Sequence, residues 1–186
     1  MNNCFFEVLR PGINTTFQDK GRFHMQHLGV TPGGCMDLKL FSIANALVGN
    51  SLNEGTLEFA YQGPLLKLIK GRTKIAITGN VLFQIIKSNE KVISGECNRT
   101  YILDQEDQID ILATKQSAYA YMAVEGGFNI KPFYKSVSVL SRAGIGPNEG
   151  KKIKISDKIN IKISSKSEKN HSTKIVNKNK NIIRES

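Results

Sequence analysis

From Thr56 to Val124 the chain breaks into short apolar runs divided by turn residues, and this rhythm constrains the fold more than any other feature. Thr56–Tyr61, Leu65–Ile69, Lys74–Thr78, Val81–Lys87, Tyr101–Leu103, Gln108–Ala113 and Ala118–Val124 each read as a strand. Within one of them, Ile75 and Ile77 share a face with Thr73 while Lys74 and Ala76 point the other way, the period-2 alternation of a strand. Cys4–Leu9 adds a first strand, closed by Arg10-Pro11-Gly12. Near the other end, Lys151–Ile155 and Lys158–Ile163 predict a last hairpin turning at Ser156-Asp157. Many short strands spaced by roughly 8–12 residues predict a mainly β, antiparallel barrel or sandwich.

Only one segment has helical periodicity. Leu40, Ile43, Ala44 and Leu47 recur at i, i+3, i+4 and i+7, which predicts a principal helix over residues 36–48. Asp37 falls in its first turn, where the helix dipole favours an anion, and Gly49 is placed as its C-cap. By contrast, residues 12–35 have no clear periodicity and read as one long polar loop, a kind of segment that tends to be functional.

The net charge of +10 on 186 residues first suggests nucleic acid or an anionic surface. Its distribution argues otherwise. Residues 1–150 hold 15 Lys/Arg against 13 Asp/Glu, whereas residues 151–186 hold 11 against 3. The excess lies in the last 36 residues. Of these, residues 164–186 have no aromatic residue to act as a stacking platform, so they read as a basic linker and no nucleic-acid partner is expected. The expected domain is 1–163. No apolar run approaches the ~18–20 residues needed to span a bilayer, and no secretory signal pattern opens the chain, so no membrane association is expected. Cys4, Cys35 and Cys97 are far apart, without Cys/His spacing for zinc, so the reading is no metal and a reducing cytoplasm.

Three clusters carry possible chemistry. Thr15-Thr16-Phe17-Gln18-Asp19-Lys20-Gly21-Arg22 packs hydroxyls, an amide, a carboxylate and a guanidinium into eight residues. Asp19 is a candidate base, and Arg22 a candidate clamp for a carboxylate or phosphate; alternatively the two pair with each other and tie the loop down. Gly33 and Gly34 lie just before the helix, where backbone N–H groups can face an anion; alternatively they make an ordinary tight turn. The stretch 144–151 looks like a phosphate loop but lacks the required spacing and Ser/Thr. The acidic run Asp104, Glu106, Asp107 and Asp110 reads as the solvated face of a hairpin.

The residues also carry a resemblance. Val8-Leu9-Arg10-Pro11-Gly12, Thr15-Thr16-Phe17-Gln18-Asp19 and Gly21-Arg22 resemble the opening of the family of 5-oxoprolinase C-type subunits, or biotin-dependent carboxyltransferase domains, also labelled allophanate hydrolase subunit 2 or KipA-like. The likeness continues through His27-Leu28-Gly29-Val30, Pro32-x-Gly34-x-Met36-Asp37, Ala44-Asn45-Ala46-Leu47-Val48-Gly49-Asn50, Leu57-Glu58, Gly63-Pro64, Thr78-Gly79 and Ala123-Val124-Glu125-Gly126-Gly127.

The resemblance implies a cyclophilin-like β architecture. It implies a role beside A-type and B-type subunits in ATP-dependent opening of 5-oxoproline, a lactam, to glutamate. An alternative is a carboxyltransferase component using biotin and acting on a urea-like amide; another is a non-catalytic, partner-binding or regulatory role. It implies Asp19, Arg22 and Asp37 as catalytic candidates, and Thr16, Gln18, Gly33, Gly34, Ser136 and Ser138 as substrate-binding candidates. The chain departs where the family shows Gly-Ser-Arg-Ser-Thr: here stand Lys135-Ser136-Val137-Ser138-Val139, keeping both serines and losing the Arg. The likeness covers only the N-terminal portion of family chains, so the isolated chain is expected to be inactive if the site lies between two halves.

Overall fold

Alternation is written directly into burial. In β5 (Thr73–Thr78), Ile75 and Ile77 enter the main core, while Ala76 turns to the opposite face against the helix. β10 (Tyr119–Val124) does the same: Ala120, Met122 and Val124 point inward, and Tyr121 and Ala123 point toward the helix. These strands are buried on both faces, which is why they read as nearly continuous apolar runs.

The computed structural model describes residues 4–162. The remaining strands are β1 (Phe5–Arg10), β2 (Asn14–Gln18), β3 (Thr56–Ala60), β4 (Leu65–Lys70), β6 (Val81–Ile86), β7 (Val92–Ser94), β8 (Thr100–Leu103), β9 (Gln108–Thr114) and β11 (Lys158–Asn160). They form two antiparallel sheets, ordered β11-β1-β4-β9-β6-β7 and β2-β3-β10-β5-β8. Neither order closes on itself, so the expected barrel-or-sandwich resolves as a sandwich and the barrel form is not adopted. Phe6, Val8, Leu66, Leu68, Phe83 and Ile109 meet Phe17, Leu57, Phe59, Ile75, Ile77 and Met122 in one apolar core between the sheets. Burial of this kind contributes about 25 cal/mol per Å² of apolar surface.

The principal helix, α1 (Leu38–Val48), lies on the outer face of the second sheet, over β5 and β10. Phe41, Ala44, Leu47 and Val48 pack on Ala76, Tyr121 and Ala123, whose two alanines let the helix approach. Asp37 is the N-cap, its carboxylate accepting from Leu40 N at 2.9 Å, so the helix starts two residues later than its periodicity suggested. Gly49 ends the helix in the left-handed region (φ 82°), as expected of a C-cap.

Three expectations are corrected. Residues 12–35 are not one loop: residues 14–18 form β2, where Thr15, Thr16, Phe17 and Gln18 are all buried. Polar residues on both faces erase the alternation that would have revealed the strand. The last hairpin does not form either. Its turn at Ser156-Asp157 exists, with Lys154 N donating to Asp157 Oδ2 at 2.7 Å, but β11 pairs with β1 instead, placing Phe6 opposite Ile159. Residues 151–155 form no strand; Ile153 N donates to Thr15 O at 3.0 Å. Finally, the acidic run is a solvated face only in part: Asp104 and Glu106 are exposed, whereas Asp107 and Asp110 are buried. Asp107 is fully buried, accepting from Lys87 Nζ, from Ser88 N at 2.9 Å and from Asp104 N at 2.8 Å. Asp110 pairs with Arg10 at 2.6 Å, tying β1 to β9. The tail 164–186 lies outside the described residues.

Candidate functional site

β2 is an edge strand of the second sheet, and its free edge receives backbone donors from Val139 and Ile153. Val139 N donates to Phe17 O at 2.9 Å, and Gln18 Nε2 donates to Val139 O at 3.2 Å. Covering an exposed edge is a general requirement of sheets. Here it brings two sequence regions more than 110 residues apart into one polar network.

Asp19 leaves the end of β2 and is 4% exposed. Its Oδ1 accepts from Gly21 N at 2.8 Å and from Ser136 Oγ at 2.7 Å, while Oδ2 accepts from Val137 N at 2.8 Å. Ser136 Oγ also accepts from Ser138 N at 3.0 Å. Ser138 Oγ donates to Gln18 Oε1 at 2.5 Å and accepts from Gly34 N at 2.8 Å. Gln18 Nε2 reaches Thr16 Oγ1 at 3.0 Å. Arg22 is 1% exposed, and one of its terminal nitrogens donates to Ser138 O.

Eight of the nine residues singled out from sequence therefore gather in one place: Thr16, Gln18, Asp19, Arg22, Gly33, Gly34, Ser136 and Ser138. Asp37 does not join their network, since its carboxylate caps α1. The alternative in which Asp19 and Arg22 pair directly is not realised: Asp19 is held by two backbone N–H groups and a hydroxyl, not by the guanidinium. Arg22 Nε and Nη1 have no hydrogen-bond partner among the described residues. Burial pulls the guanidinium below its ordinary value, while the nearby Asp19 charge opposes that shift.

A second cluster adjoins the first through residues 35–37, with Cys35 N donating to Asp19 O at 2.9 Å. Glu58 on β3 and Tyr121 on β10 are cross-strand partners. Tyr121 Oη donates to Glu58 Oε2 at 2.7 Å and accepts from Asp37 N at 2.7 Å; Met36 N also donates to Glu58 Oε2, at 2.7 Å. Burial pushes the Glu58 carboxyl above its ordinary value, against the donation it receives. Burial and then Glu58 raise the Tyr121 hydroxyl, and the same two causes push the Cys35 thiol up to about 11. A thiol so raised is a poor nucleophile at neutral pH. Sequence reasoning missed Glu58 and Tyr121 as members of a site. Only their cross-strand register, invisible in one chain, joins them.

Other motif residues are structural. Asn45 Nδ2 donates to Glu54 O at 2.8 Å, Asn50 Nδ2 to Val124 O at 2.8 Å, and Gly126 N to Asn50 Oδ1 at 2.8 Å, so the motif at residues 44–50 anchors α1 to the Gly126-Gly127 turn. No group of His, Cys, Asp and Glu suited to a metal ion occurs among the described residues, and none of their helices is long and apolar enough to cross a membrane.

Comparison with known proteins identifies the family. A family model described as carboxyltransferase domain, subdomain A and B, matches residues 28–185. The chain is 33% identical over 155 residues to a urea amidolyase of Lachancea kluyveri, covering 83% of the chain and 8% of that protein. It is 28% identical over 155 residues to the C-type subunit of the 5-oxoprolinase of Escherichia coli (strain K12), covering 83% of the chain and 48% of that protein. The solved urea carboxylase of Kluyveromyces lactis superposes with a TM-score of 0.79 at 30% identity, over 89% of this chain and 15% of that one. The chain thus spans about half of one relative and a small part of the others.

Proposed function

The chain belongs to the carboxyltransferase-domain family, subdomains A and B, and on that premise we propose that it contributes the substrate-handling polar site of an ATP-dependent 5-oxoprolinase, as a C-type component of the complex. One observation carries the reading. Residues 16–22, 33–34 and 136–138 converge on one buried, hydrogen-bonded network around an incompletely partnered guanidinium. A fold that only needed a core would not bury a charge this way, because an unpaired buried charge costs several kcal/mol.

Opening an unstrained lactam requires its amide oxygen to be activated and the developing charge to be stabilised by fixed donors. The Arg22 guanidinium is the donor group in this network with hydrogens to offer. Asp19, with three donors converging on it, holds residues 136–138 in place. In this reading Asp19 acts through the geometry it imposes on Ser136 and Ser138. ATP enters through the complex with A-type and B-type subunits, in the cytoplasm, where three unpaired cysteines remain reduced.

The urea amidolyase relatives, at up to 33% identity, favour a second reading: a carboxyltransferase component that takes a carboxyl group from biotin to a urea-like amide. The deciding experiment is coexpression of the chain, together with the remaining half of a C-type subunit, with A-type and B-type subunits, followed by measurement of 5-oxoproline-dependent ADP release. Turnover that falls at least tenfold in Arg22→Gln is expected. Turnover unchanged by that substitution, or urea-dependent carboxylation in its place, overturns the first reading.

A further inference from the structure

We propose that Arg22, beside the Gly33 turn, is a binding site for a small oxyanion, a carboxylate or phosphate group, flanked by the exposed segment 23–31. The site deepens the reading above, resting on it for the identity of the natural anion and not for the site itself.

Four observations converge. The guanidinium is 1% exposed, and two of its three nitrogens donate to nothing among the described residues. The nearest carboxylate, Asp19, is held by other donors, so the cation has no hydrogen-bonded counter-charge. A water molecule would satisfy an N–H group but not the charge; an oxyanion satisfies both. Next is the turn beside the cation. Gly33 has φ 62°, and a Cβ there would stand 3.2 Å from Arg22 Nη1 and 3.2 Å from Ser138 Oγ, so only the missing side chain keeps Gly33 from crowding the partnerless nitrogen.

The fourth observation is the flanking segment. No residue from Phe23 to Thr31 is buried, although the segment flanks a fully buried arginine. Its neck is tied by Arg22 N donating to Pro32 O at 2.8 Å, and its short 3₁₀ turn (Gln26–Leu28) bonds only within the segment. Phe23 and Leu28 are 56% and 55% exposed. A segment without core contacts moves at low free-energy cost, so it can admit a ligand to the arginine it flanks. An anion bound at Arg22 gives the segment a reason to settle.

The chemistry separates the two family readings. 5-Oxoproline carries a carboxylate; urea is neutral. The test is calorimetric titration of the 186-residue chain with 5-oxoproline, inorganic phosphate, urea and 2-pyrrolidinone, the same lactam without its carboxylate, at constant ionic strength. Saturable binding of 5-oxoproline or phosphate below about 10 mM is expected, with none for urea or 2-pyrrolidinone. Response to 5-oxoproline alone assigns the site to a substrate carboxylate, and response to phosphate alone assigns it to a phosphoryl group. Arg22→Gln should weaken binding at least about tenfold. If that variant does not fold, Gly33→Ala, which sets a methyl group 3.2 Å from Nη1 and keeps the charge, should do the same. No saturable binding of either anion, or equal binding by wild type and Gly33→Ala, overturns the proposal. Anion binding with no 5-oxoproline-dependent ADP release in the complex overturns only the functional reading.

Discussion

Replacing Tyr121 by Phe removes one oxygen and leaves the apolar packing alone. The ring still meets Phe41 edge-to-face at 6.1 Å and remains fully buried. What disappears is a donor to Glu58 Oε2 and an acceptor for Asp37 N, each at 2.7 Å. A hydrogen bond to a charged group contributes about 1.5–3 kcal/mol, and a backbone N–H left without its partner adds about 1 kcal/mol, so the expected loss is about 3 kcal/mol at neutral pH. The loss should depend on pH. Burial holds the folded Glu58 carboxyl above its ordinary value of 4.5, so its contribution to stability is full below that value and fades as pH rises through the folded one. Tyr121 opposes that shift by donating to the carboxylate. Without it the folded value climbs further, and the variant loses more stability than wild type between acid and neutral pH. Urea denaturation should therefore give a difference of about 3 kcal/mol near pH 8 and about half that near pH 4.5. Glu58→Gln, which keeps an oxygen for both donors, should abolish the pH dependence. A Tyr121→Phe loss under about 1 kcal/mol at pH 8, or one equal at both pH values, refutes the reasoning.

Asp107→Asn tests the opposite sign. Despite the penalty of burial, hydrogen bonds from Lys87, Asp104 and Ser88 hold this carboxyl below its ordinary 3.8, so its stabilisation is present above that value and lost as pH falls through the folded one. The variant should be about 2 kcal/mol less stable in urea titrations at pH 7, with the difference shrinking in acid. Gly95→Ala would place a Cβ 2.0 Å from Phe83 Cε2, and displacing that core ring should lower stability by about 1–3 kcal/mol, read as a lower thermal midpoint. Phe41→Ala empties the fully buried contact between α1 and the second sheet, at about 3–5 kcal/mol in the same assay. The Cys35 thiol, pushed from 9.0 to about 11, should react with iodoacetamide about 100-fold more slowly at pH 7.5 than an unperturbed thiol, accelerating about tenfold per pH unit above that.

Sequence alone determined the mainly β class, most strand positions and α1, because apolar side chains on a pleated or helical backbone must repeat with the period of the surface they bury. It also brought forward the polar residues that gather around Arg22, through their likeness to a family pattern. What it could not reveal was decided by tertiary contacts. β2 carries polar residues on both faces, so no periodicity marks it; only its place between β3 and the backbone donors of Val139 and Ile153 makes it a strand. β11 pairs with β1 rather than folding back on residues 151–155, a choice between local and distant partners that residues 151–163 cannot make alone. Whether Asp19 and Arg22 would pair was open in their spacing; Ser136 and Val137, 117 and 118 residues away, capture the carboxylate and leave the guanidinium with donors to spare. Hydrogen-bond partners are set by which segments fold against each other, and a single sequence states the groups available without stating which of them will meet.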